Sequence, residues 1–259
     1  MMYAALASGS KGNCHVFSRP GSTLLVDAGI SLKQIRLRMA AVGLEEGAEV
    51  AVALTHEHSD HIGAVPVLLR RTPWLFMGTP DTLAAVEAAT GVEIPPSRRI
   101  PLRAGSPERW NGFEVLPFTT PHDAADSVAY RVSADGLRAA VVTDLGHPTA
   151  LVEDHCRDLD LLVLEANHDV VMLREGDYPP ALKARILSRV GHLSNEAMAD
   201  LLARVNAPAL RTVVLAHLSE HNNLPDLARL AAEAVLAGSG TRLLVASQTV
   251  PLQVADPAV

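Results

Sequence analysis

Short apolar runs alternate along the chain with longer amphipathic segments, and glycine or proline stands at most junctions between them. The short runs are typical of buried strands, whereas a longer segment between a polar cap and a glycine or proline is typical of a helix. Strands are predicted at residues 3–7, 15–18, 23–27, 50–54, 74–77, 113–118, 127–132, 139–143, 161–164, 212–216, 242–245 and 251–254. Helices are predicted at residues 32–42, 62–71, 80–89, 148–157, 180–190, 195–205 and 225–237. Each half of the chain begins with strands and continues with helices, which predicts an α/β (α+β) fold of two packed sheets with helices outside.

The composition predicts one folded domain over residues 1–259. Hydrophobic residues make up 48% of the chain and charged residues 20%, so a large core can form and disorder is disfavoured. No apolar run reaches the roughly 18 residues of a membrane helix, and the N-terminus lacks the basic start and apolar centre of a secretory signal. Cys14 and Cys156 stand apart without CxxC spacing, as expected of small buried side chains in a reducing compartment. These features predict a cytoplasmic protein without membrane association.

The net charge of −7 counts against a simple nucleic-acid binder, which usually has a basic balance. It does not count against an enzyme that binds phosphate through metal ions, because two divalent cations add four positive charges at the site itself. Three basic groups could follow a nucleic-acid backbone. They are Lys33, Arg36 and Arg38; Arg98, Arg99 and Arg103; and Lys183, Arg185 and Arg189. The alternative is that each basic group is only a solvated surface.

The stretch LTHEHSDHIG at residues 54–63 concentrates metal-ligand side chains directly after an apolar strand. Alternate residues of an extended segment point the same way, so His56 and His58 can reach one metal ion together. Asp60 and His61 lie where the chain bends into the next helix and can turn toward a second ion. Imidazole and carboxylate together favour Zn, Mn or Fe over Ca. A histidine-rich solvent loop is the alternative, and the position between strand and helix counts against it.

Four further polar residues each follow a predicted apolar strand. They are Asp27, His122, Asp144 and His217. Singly, each is most simply explained as a cap or turn residue. Their recurrence at strand ends predicts that they join the 56–61 segment in a dinuclear site.

Three more stretches suggest phosphate contacts. SGSKGNC at residues 8–14 is a turn whose backbone N–H groups could cradle phosphate, although an ordinary hairpin turn is an equal alternative. LEANHD at residues 164–169 ends a strand with an acid, and GHLSNEA at residues 191–197 opens a helix, whose N-terminus favours anions. The candidate phosphate contacts are Ser8, Ser10, Asn13, Asn167, His168 and Asn195, with Asn222 as a further candidate. For each residue of this set outside the 8–14 turn, a hydrogen bond within a loop explains its presence as well as a phosphate contact does.

The HEHSDH motif with its four strand-end partners resembles the metallo-β-lactamase superfold over nearly the whole chain. The resemblance implies a four-layer αβ/βα sandwich of two mixed sheets with helices on the outer faces. It further implies two divalent transition-metal ions, zinc or manganese. The first would be held by His56, His58 and His122, the second by Asp60, His61 and His217, with Asp144 bridging them and Asp27 bracing the site by hydrogen bonding.

The SGSKGN, LEANHD, GHLSNEA and LAHLSEHNN stretches together are similar to the YycJ/WalJ-type branch, related to tRNase Z and RNase J. This resemblance implies a 5′-to-3′ exonuclease acting on DNA, with RNA or endonucleolytic cleavage as variants. A hydroxide between the metals would attack the phosphodiester. The catalytic residues would be Asp60, His192 and Glu165. His192 would protonate the leaving oxygen, and Glu165 would orient the His192 ring.

Three alternatives stay open at the level of sequence. An acyl hydrolase, such as a glyoxalase II-like thioesterase or a lactamase-like enzyme, would share the same metal ligands. A small-molecule phosphodiesterase is compatible with the absence of an aromatic-rich stretch for stacking bases. A non-enzymatic metal-binding protein is disfavoured, because seven ligands for two metals leave room for solvent. The oligomeric state is not predicted.

Overall fold

Two seven-stranded mixed sheets form the centre of the computed structural model, which describes residues 1–254. In spatial order, the first sheet contains β14 (Leu252–Val254), β1 (Met2–Ala7), β2 (Cys14–Arg19), β3 (Ser22–Val26), β4 (Glu49–Ala53), β5 (Leu75–Gly78) and β6 (Arg99–Pro101). The second contains β13 (Arg242–Val245), β12 (Thr212–Ala216), β11 (Leu161–Glu165), β10 (Leu137–Val142), β9 (Val128–Ala134), β8 (Phe113–Thr119) and β7 (Glu108–Trp110). Pairing is parallel from β3 to β6 and from β10 to β13, and antiparallel elsewhere.

The helices connect these strands and cover their outer faces. They are α1 (Leu32–Ala41), α2 (Ser59–Ile62), α3 (Val65–Arg71), α4 (Pro80–Thr90), α5 (Ala150–His155), α6 (Val170–Glu175), α7 (Pro180–Ile186), α8 (Asn195–Val205) and α9 (Pro225–Leu236), with a 3-10 turn at Pro96–Arg98. Side-chain oxygens cap several of them. Ser31 accepts from Gln34 N at the start of α1, and Ser194 accepts from Ala197 N at the start of α8. Within residues 1–254, no helix combines the length and the apolar character needed to cross a bilayer.

The packing has three apolar layers. Tyr3 and Phe17 of the first sheet meet Val115 and Tyr130 of the second in a core between the sheets. A second cluster joins the outer face of the first sheet to α1, α3 and α4, and a third joins the outer face of the second sheet to α5, α8 and α9. The predicted four-layer sandwich of two mixed sheets with helices outside is therefore confirmed.

All twelve predicted strands are present, but β6, β7 and α6 were missed. The two strands have three residues each, too short for an alternating pattern to be visible. The predicted helix at 62–71 is wrong in its extent, because the chain forms α2 and α3 with Gly63 and Ala64 between them. The predicted helix at 148–157 begins later, since the Thr149 side chain accepts from Val152 N and caps α5.

Parallel pairing explains why distant polar residues can meet. Strands β3 and β4 run parallel in one sheet, and β10, β11 and β12 run parallel in the other. The carboxyl ends of parallel neighbours lie at the same edge of a sheet, where binding sites of open α/β sheets usually form. Asp27, the 56–61 segment, Asp144, Glu165 and His217 all lie at such ends.

Candidate metal centre

Three imidazoles converge at the end of β4, and we name them the first triad. His56 Nε2 lies 3.0 Å from His58 Nδ1, which lies 3.2 Å from His122 Nε2. His56 and His58 come from the segment after β4, and His122 comes from the loop after β8. Three ring nitrogens so close together, with their other ring nitrogens turned outward in His56 and His122, form a ready set of metal ligands.

Asp60, His61 and His217 form a second triad beside the first. Asp60 Oδ2 lies 3.4 Å from the Nε2 atoms of both His61 and His217. Asp144 lies between the triads, with Oδ2 3.2 Å from His61 Nε2 and Oδ1 3.8 Å from His122 Nε2. One carboxylate therefore reaches ligands of both triads.

Four of the imidazoles are fixed from behind by a second hydrogen bond. His61 Nδ1 donates to Asp27 Oδ2 (2.7 Å), and His217 Nδ1 donates to Glu165 Oε1 (2.8 Å). The partner of His122 Nδ1 is the carbonyl oxygen of Gly191 (3.0 Å). The partner of His56 Nδ1 is Thr55 Oγ1 (2.9 Å). Such outer partners fix the tautomer and turn each Nε2 toward the site, as in metal-binding histidines generally.

The donor set fits a pair of divalent transition metals. Asp144 is 2% exposed, and its Oδ2 atom has no hydrogen-bond partner. A buried carboxylate oxygen without a hydrogen bond is costly, and a bound cation would supply the missing partner. Imidazole nitrogens with two carboxylates suit zinc or manganese.

The charges of the site favour the ionised form of the Asp144 carboxyl group. Burial by itself would raise the pKa of Asp144, but His217 and His61 beside it lower that pKa well below its usual range. Burial likewise opposes protonation of His217, yet Asp144, Asp60 and Glu165 raise its pKa to about 10. Without metal, a protonated His217 therefore supplies the positive charge that a cation would bring to the second triad.

Glu165 links the metal centre to His192. It is fully buried at the end of β11, and its Oε1 accepts from both His192 Nδ1 and His217 Nδ1 at 2.8 Å. Its Oε2 accepts from the backbone N–H groups of Leu145 (2.8 Å) and Leu193 (3.0 Å). Burial raises the pKa of Glu165, but His192 and His217 outweigh burial and lower that pKa to about 2. A permanently ionised carboxylate thus fixes the His192 ring.

A cleft of about 170 Å³ opens beside His192, whose side chain is 22% exposed. Of the predicted phosphate contacts, Ser10 and Asn167 line this cleft. Its other lining residues are Asp123, Tyr178, Leu182, Arg185, Ile186, Gly191 and Ser219. A larger cavity of about 530 Å³ beside Arg19 and Glu46 contains none of the candidate ligands. The smaller cleft, and not the larger one, is lined by His192, which is bonded to Glu165 beside the candidate metal ligands.

Ser8 and Asn13 lie beneath the metal centre. Ser8 Oγ accepts from His217 N (2.8 Å). Asn13 is fully buried, and its Nδ2 lies 3.3 Å from Asp60 Oδ2 and 3.2 Å from His61 Nε2. In this position both residues brace metal ligands from below.

His168 and Asn195 lie away from the cleft lining. Asn195 exchanges two amide hydrogen bonds of 2.9 Å with Asn223, and its backbone N–H donates to the His168 carbonyl oxygen (2.9 Å). Asn222 is buried, and neither atom of its side-chain amide has a hydrogen-bond partner. These contacts join α8 to the loop after β12.

Two structural residues of the site were not predicted. Thr55 donates to Asp27 and accepts from His56, and its signal in the sequence is a hydroxyl at the start of the motif. The other is Gly29, because a Cβ there would lie 1.7 Å from the Asp60 carbonyl oxygen. Only the fold reveals that approach.

The comparisons with known proteins agree with this geometry. The chain matches the beta-lactamase superfamily domain over residues 22–218. It is 35% identical over 238 residues to the exodeoxyribonuclease YycJ of Bacillus anthracis, covering 92% of this chain and 90% of that protein. It is 34% identical over 229 residues to the exodeoxyribonuclease WalJ of Streptococcus pneumoniae serotype 2, covering 88% of this chain and 85% of that protein. The metallo-beta-lactamase fold protein YhfI from Bacillus subtilis shares the fold, with a TM-score of 0.73 and 17% identity over 98% of this chain and 99% of that one. The chain therefore belongs to the beta-lactamase superfamily, among the relatives of YycJ and WalJ.

Proposed function

We propose that this protein is a metal-dependent phosphodiesterase that degrades DNA from the 5′ end. The observation that carries the proposal is Glu165, which joins His192 to the metal ligand His217 through one carboxylate oxygen. This arrangement supports the proposal, because cleavage of a phosphodiester with a poor leaving group requires a proton donor, and His192 would supply it beside a dinuclear centre. The names of the relatives, exodeoxyribonucleases at 35% and 34% identity, support the same activity.

The two triads would hold the metals, with Asp144 shared between them. When bound, divalent ions lower the pKa of a water molecule and offset the charge of a phosphodiester. His192 Nδ1 is bonded to Glu165, which leaves Nε2 to carry a proton into the cleft. His192 gives that proton to the leaving 3′ oxygen, and Glu165 keeps the ring in place by accepting from Nδ1. The products carry 5′-phosphate and 3′-hydroxyl ends.

The cationic residue that lines the cleft is Arg185 of α7, which pairs with Asp123 at 2.5 Å. Arg36 and Arg98 of the other predicted basic groups do not line this cleft, and they bind Glu46 and backbone carbonyl oxygens respectively. DNA is therefore proposed to approach along α7. The choice of DNA over RNA, and of zinc or manganese as the metal, belongs to this proposal, and the cytoplasmic location stays a prediction.

The His192→Ala variant tests the proposal. On 5′-labelled oligonucleotides in manganese we expect release of labelled mononucleotides by the wild type and a loss of about 10²- to 10⁴-fold in rate for the variant. Metal content, measured by mass spectrometry, stays at two ions per chain. Added imidazole, which can enter the space left by the ring, restores part of the rate.

Three results would contradict the proposal. The first is full activity after removal of metal with EDTA, and the second is an undiminished rate in His192→Ala. The third is turnover of a thioester or a cephalosporin, but of no oligonucleotide, which would establish an acyl hydrolase. A substrate such as bis(p-nitrophenyl) phosphate, cleaved while DNA is not, would identify a small-molecule phosphodiesterase.

A further inference from the structure

The cleft beside His192 has two chemically different walls. Leu182 and Ile186 are four residues apart on α7 and therefore share one face of that helix, and Tyr178 precedes it by two residues. Strand-end loops contribute a polar part of the lining, with Ser10, Asn167 and Ser219. A nucleotide has the same division, since its base has apolar faces and its sugar and phosphate are polar.

Tyr178 is the residue of the apolar wall with an extended flat surface. Its ring is half-buried, so one part is supported by the protein while another part remains open to the cleft. The His221 ring lies against it, with centroids 5.9 Å apart and planes at 61°. At this angle the His221 ring supports Tyr178 without stacking flat over it.

The cleft volume of about 170 Å³ is small compared with the roughly 300–1,000 Å³ of typical ligand pockets. It accommodates part of one nucleotide and excludes a base pair. A base that enters must therefore have left the stack of a duplex, at a cost of a few kcal/mol. Stacking on an aromatic side chain offsets this cost for any base, because every base has a π-face.

We propose that Tyr178 stacks on the base of the 5′-terminal nucleotide, and that Leu182 and Ile186 complete its apolar pocket. This inference rests on the proposed function. His192 protonates the 3′ oxygen of the nucleotide that is released, and Tyr178 lines the same cleft as His192. The base held by Tyr178 thus belongs to that nucleotide. Terminal bases are then recognised without regard to sequence, and frayed or single-stranded ends are preferred.

Tyr178→Ala is tested on two oligonucleotides that differ only in whether the 5′-terminal residue carries a base or is an abasic tetrahydrofuran. On the intact end we expect kcat/KM to fall about 5- to 150-fold, the equivalent of 1–3 kcal/mol for one stacked base. On the abasic end the wild type and the variant differ by less than two-fold. Tyr178→Phe keeps the ring and retains the wild-type preference for a base. Leu230→Ala, on the exposed side of α9, serves as the control for loss of a surface hydrophobe.

The outcomes separate the stacking role from the proposed function. If Tyr178→Ala loses equal activity on both ends, Tyr178 has only a structural role and the inference is overturned. Equal kcat/KM of the wild type on both ends overturns it as well, while nuclease activity stands. If the wild type cleaves neither oligonucleotide, the proposed function itself fails and the inference fails with it. Two bound metals and an unchanged circular dichroism spectrum show that the variant is folded.

Discussion

Asp27 contributes to the site through its backbone conformation as well as through its carboxylate. It is one of six non-glycine residues with positive φ in residues 1–254, and Asp144 and His217 are two of the others. Their φ angles of 63°, 57° and 54° lie in the left-handed region, which non-glycine residues seldom adopt. Each residue follows a strand, so the unusual turn redirects its side chain over the edge of the sheet. Strain at these three points is the cost of bringing the polar groups together.

Asp27→Asn tests the bracing role at the scale of one residue. The Asp27 carboxylate accepts from His61 Nδ1 and from Thr55 Oγ1, and an amide there would present a donor to one of them. We expect metal affinity to fall about 10- to 100-fold, as is usual when the outer partner of a metal-binding histidine is changed. Titration of the apoprotein with zinc or manganese against a competing chelator measures this. Asp200→Asn, at an exposed position of α8, is the matched control, and equal affinities for the two variants would argue against the role.

At the scale of elements, three segments of the chain meet at Gly29. The Gly29 N–H donates to the Asn13 carbonyl oxygen (2.8 Å). The Asn13 N–H donates to the Asp60 carbonyl oxygen (2.7 Å). Ala28 N–H donates to the His61 carbonyl oxygen (2.7 Å). The backbones after β1, after β3 and within α2 are therefore joined directly behind the second triad.

Gly29→Ala would force these segments apart. The new Cβ would lie 1.7 Å from the Asp60 carbonyl oxygen and 2.7 Å from Asn13 N, and backbone atoms cannot give way as the end of a side chain can. We expect the second triad to lose its metal while the first triad keeps one, so the metal content falls from two ions to one and DNA cleavage is lost.

Gly136→Ala is the control for the effect of the methyl group alone. Its Cβ would have no neighbour within 4 Å, although its φ of 79° makes an alanine there strained as well. Both variants should lower the melting temperature, Gly29→Ala by more because of its backbone contacts, but only Gly29→Ala should change the metal content. Two metals per chain in Gly29→Ala would show that the segments can separate without disturbing the triad.

For the whole molecule, the buried histidines set a pH of maximum stability when metal is absent. The pKa of His217 is raised to about 10, so the folded chain holds a proton that the unfolded chain releases near pH 6.5. Its stabilising contribution is complete below pH 6.5 and is lost as pH rises toward 10. Burial lowers the pKa of His15 to about 3 and that of His168 to about 4, so their contribution is lost as pH falls below 6.5. Stability without metal is therefore greatest near pH 6.5.

Thermal unfolding in EDTA from pH 5 to pH 9 measures this maximum. Because metals bind deprotonated imidazole, zinc or manganese should raise the melting temperature most at the alkaline end and remove the decline there. His217→Gln should reduce the alkaline decline in EDTA, with His61, whose pKa, despite burial, the neighbouring carboxylates also raise, accounting for the remainder, whereas His221→Gln at an exposed position should leave it unchanged. A melting temperature that rises steadily to pH 9 in EDTA would contradict the proposed charge state of the second triad.

Much of this molecule could be predicted from local pattern. Twelve strands are visible as apolar runs, and the HEHSDH motif is visible because alternation in an extended segment brings His56 and His58 to one side. Short elements such as β6 and β7 are not visible, since three residues give no periodicity. The double role of Glu165, shared between His192 and His217, could not be predicted either, because it depends on the distance between the ends of β11 and β12.

The sequence by itself determined which side chains are candidates for the chemistry and at which strand ends they stand, since ligand type and hydrophobic period are local properties. Only the tertiary structure decided which of them meet. Asn13 became a brace for Asp60 and His61, and Tyr178 came to line the cleft beside His192. These distances are set by parallel strand pairing and by the packing of the two sheets, which depend on contacts between residues far apart in the chain.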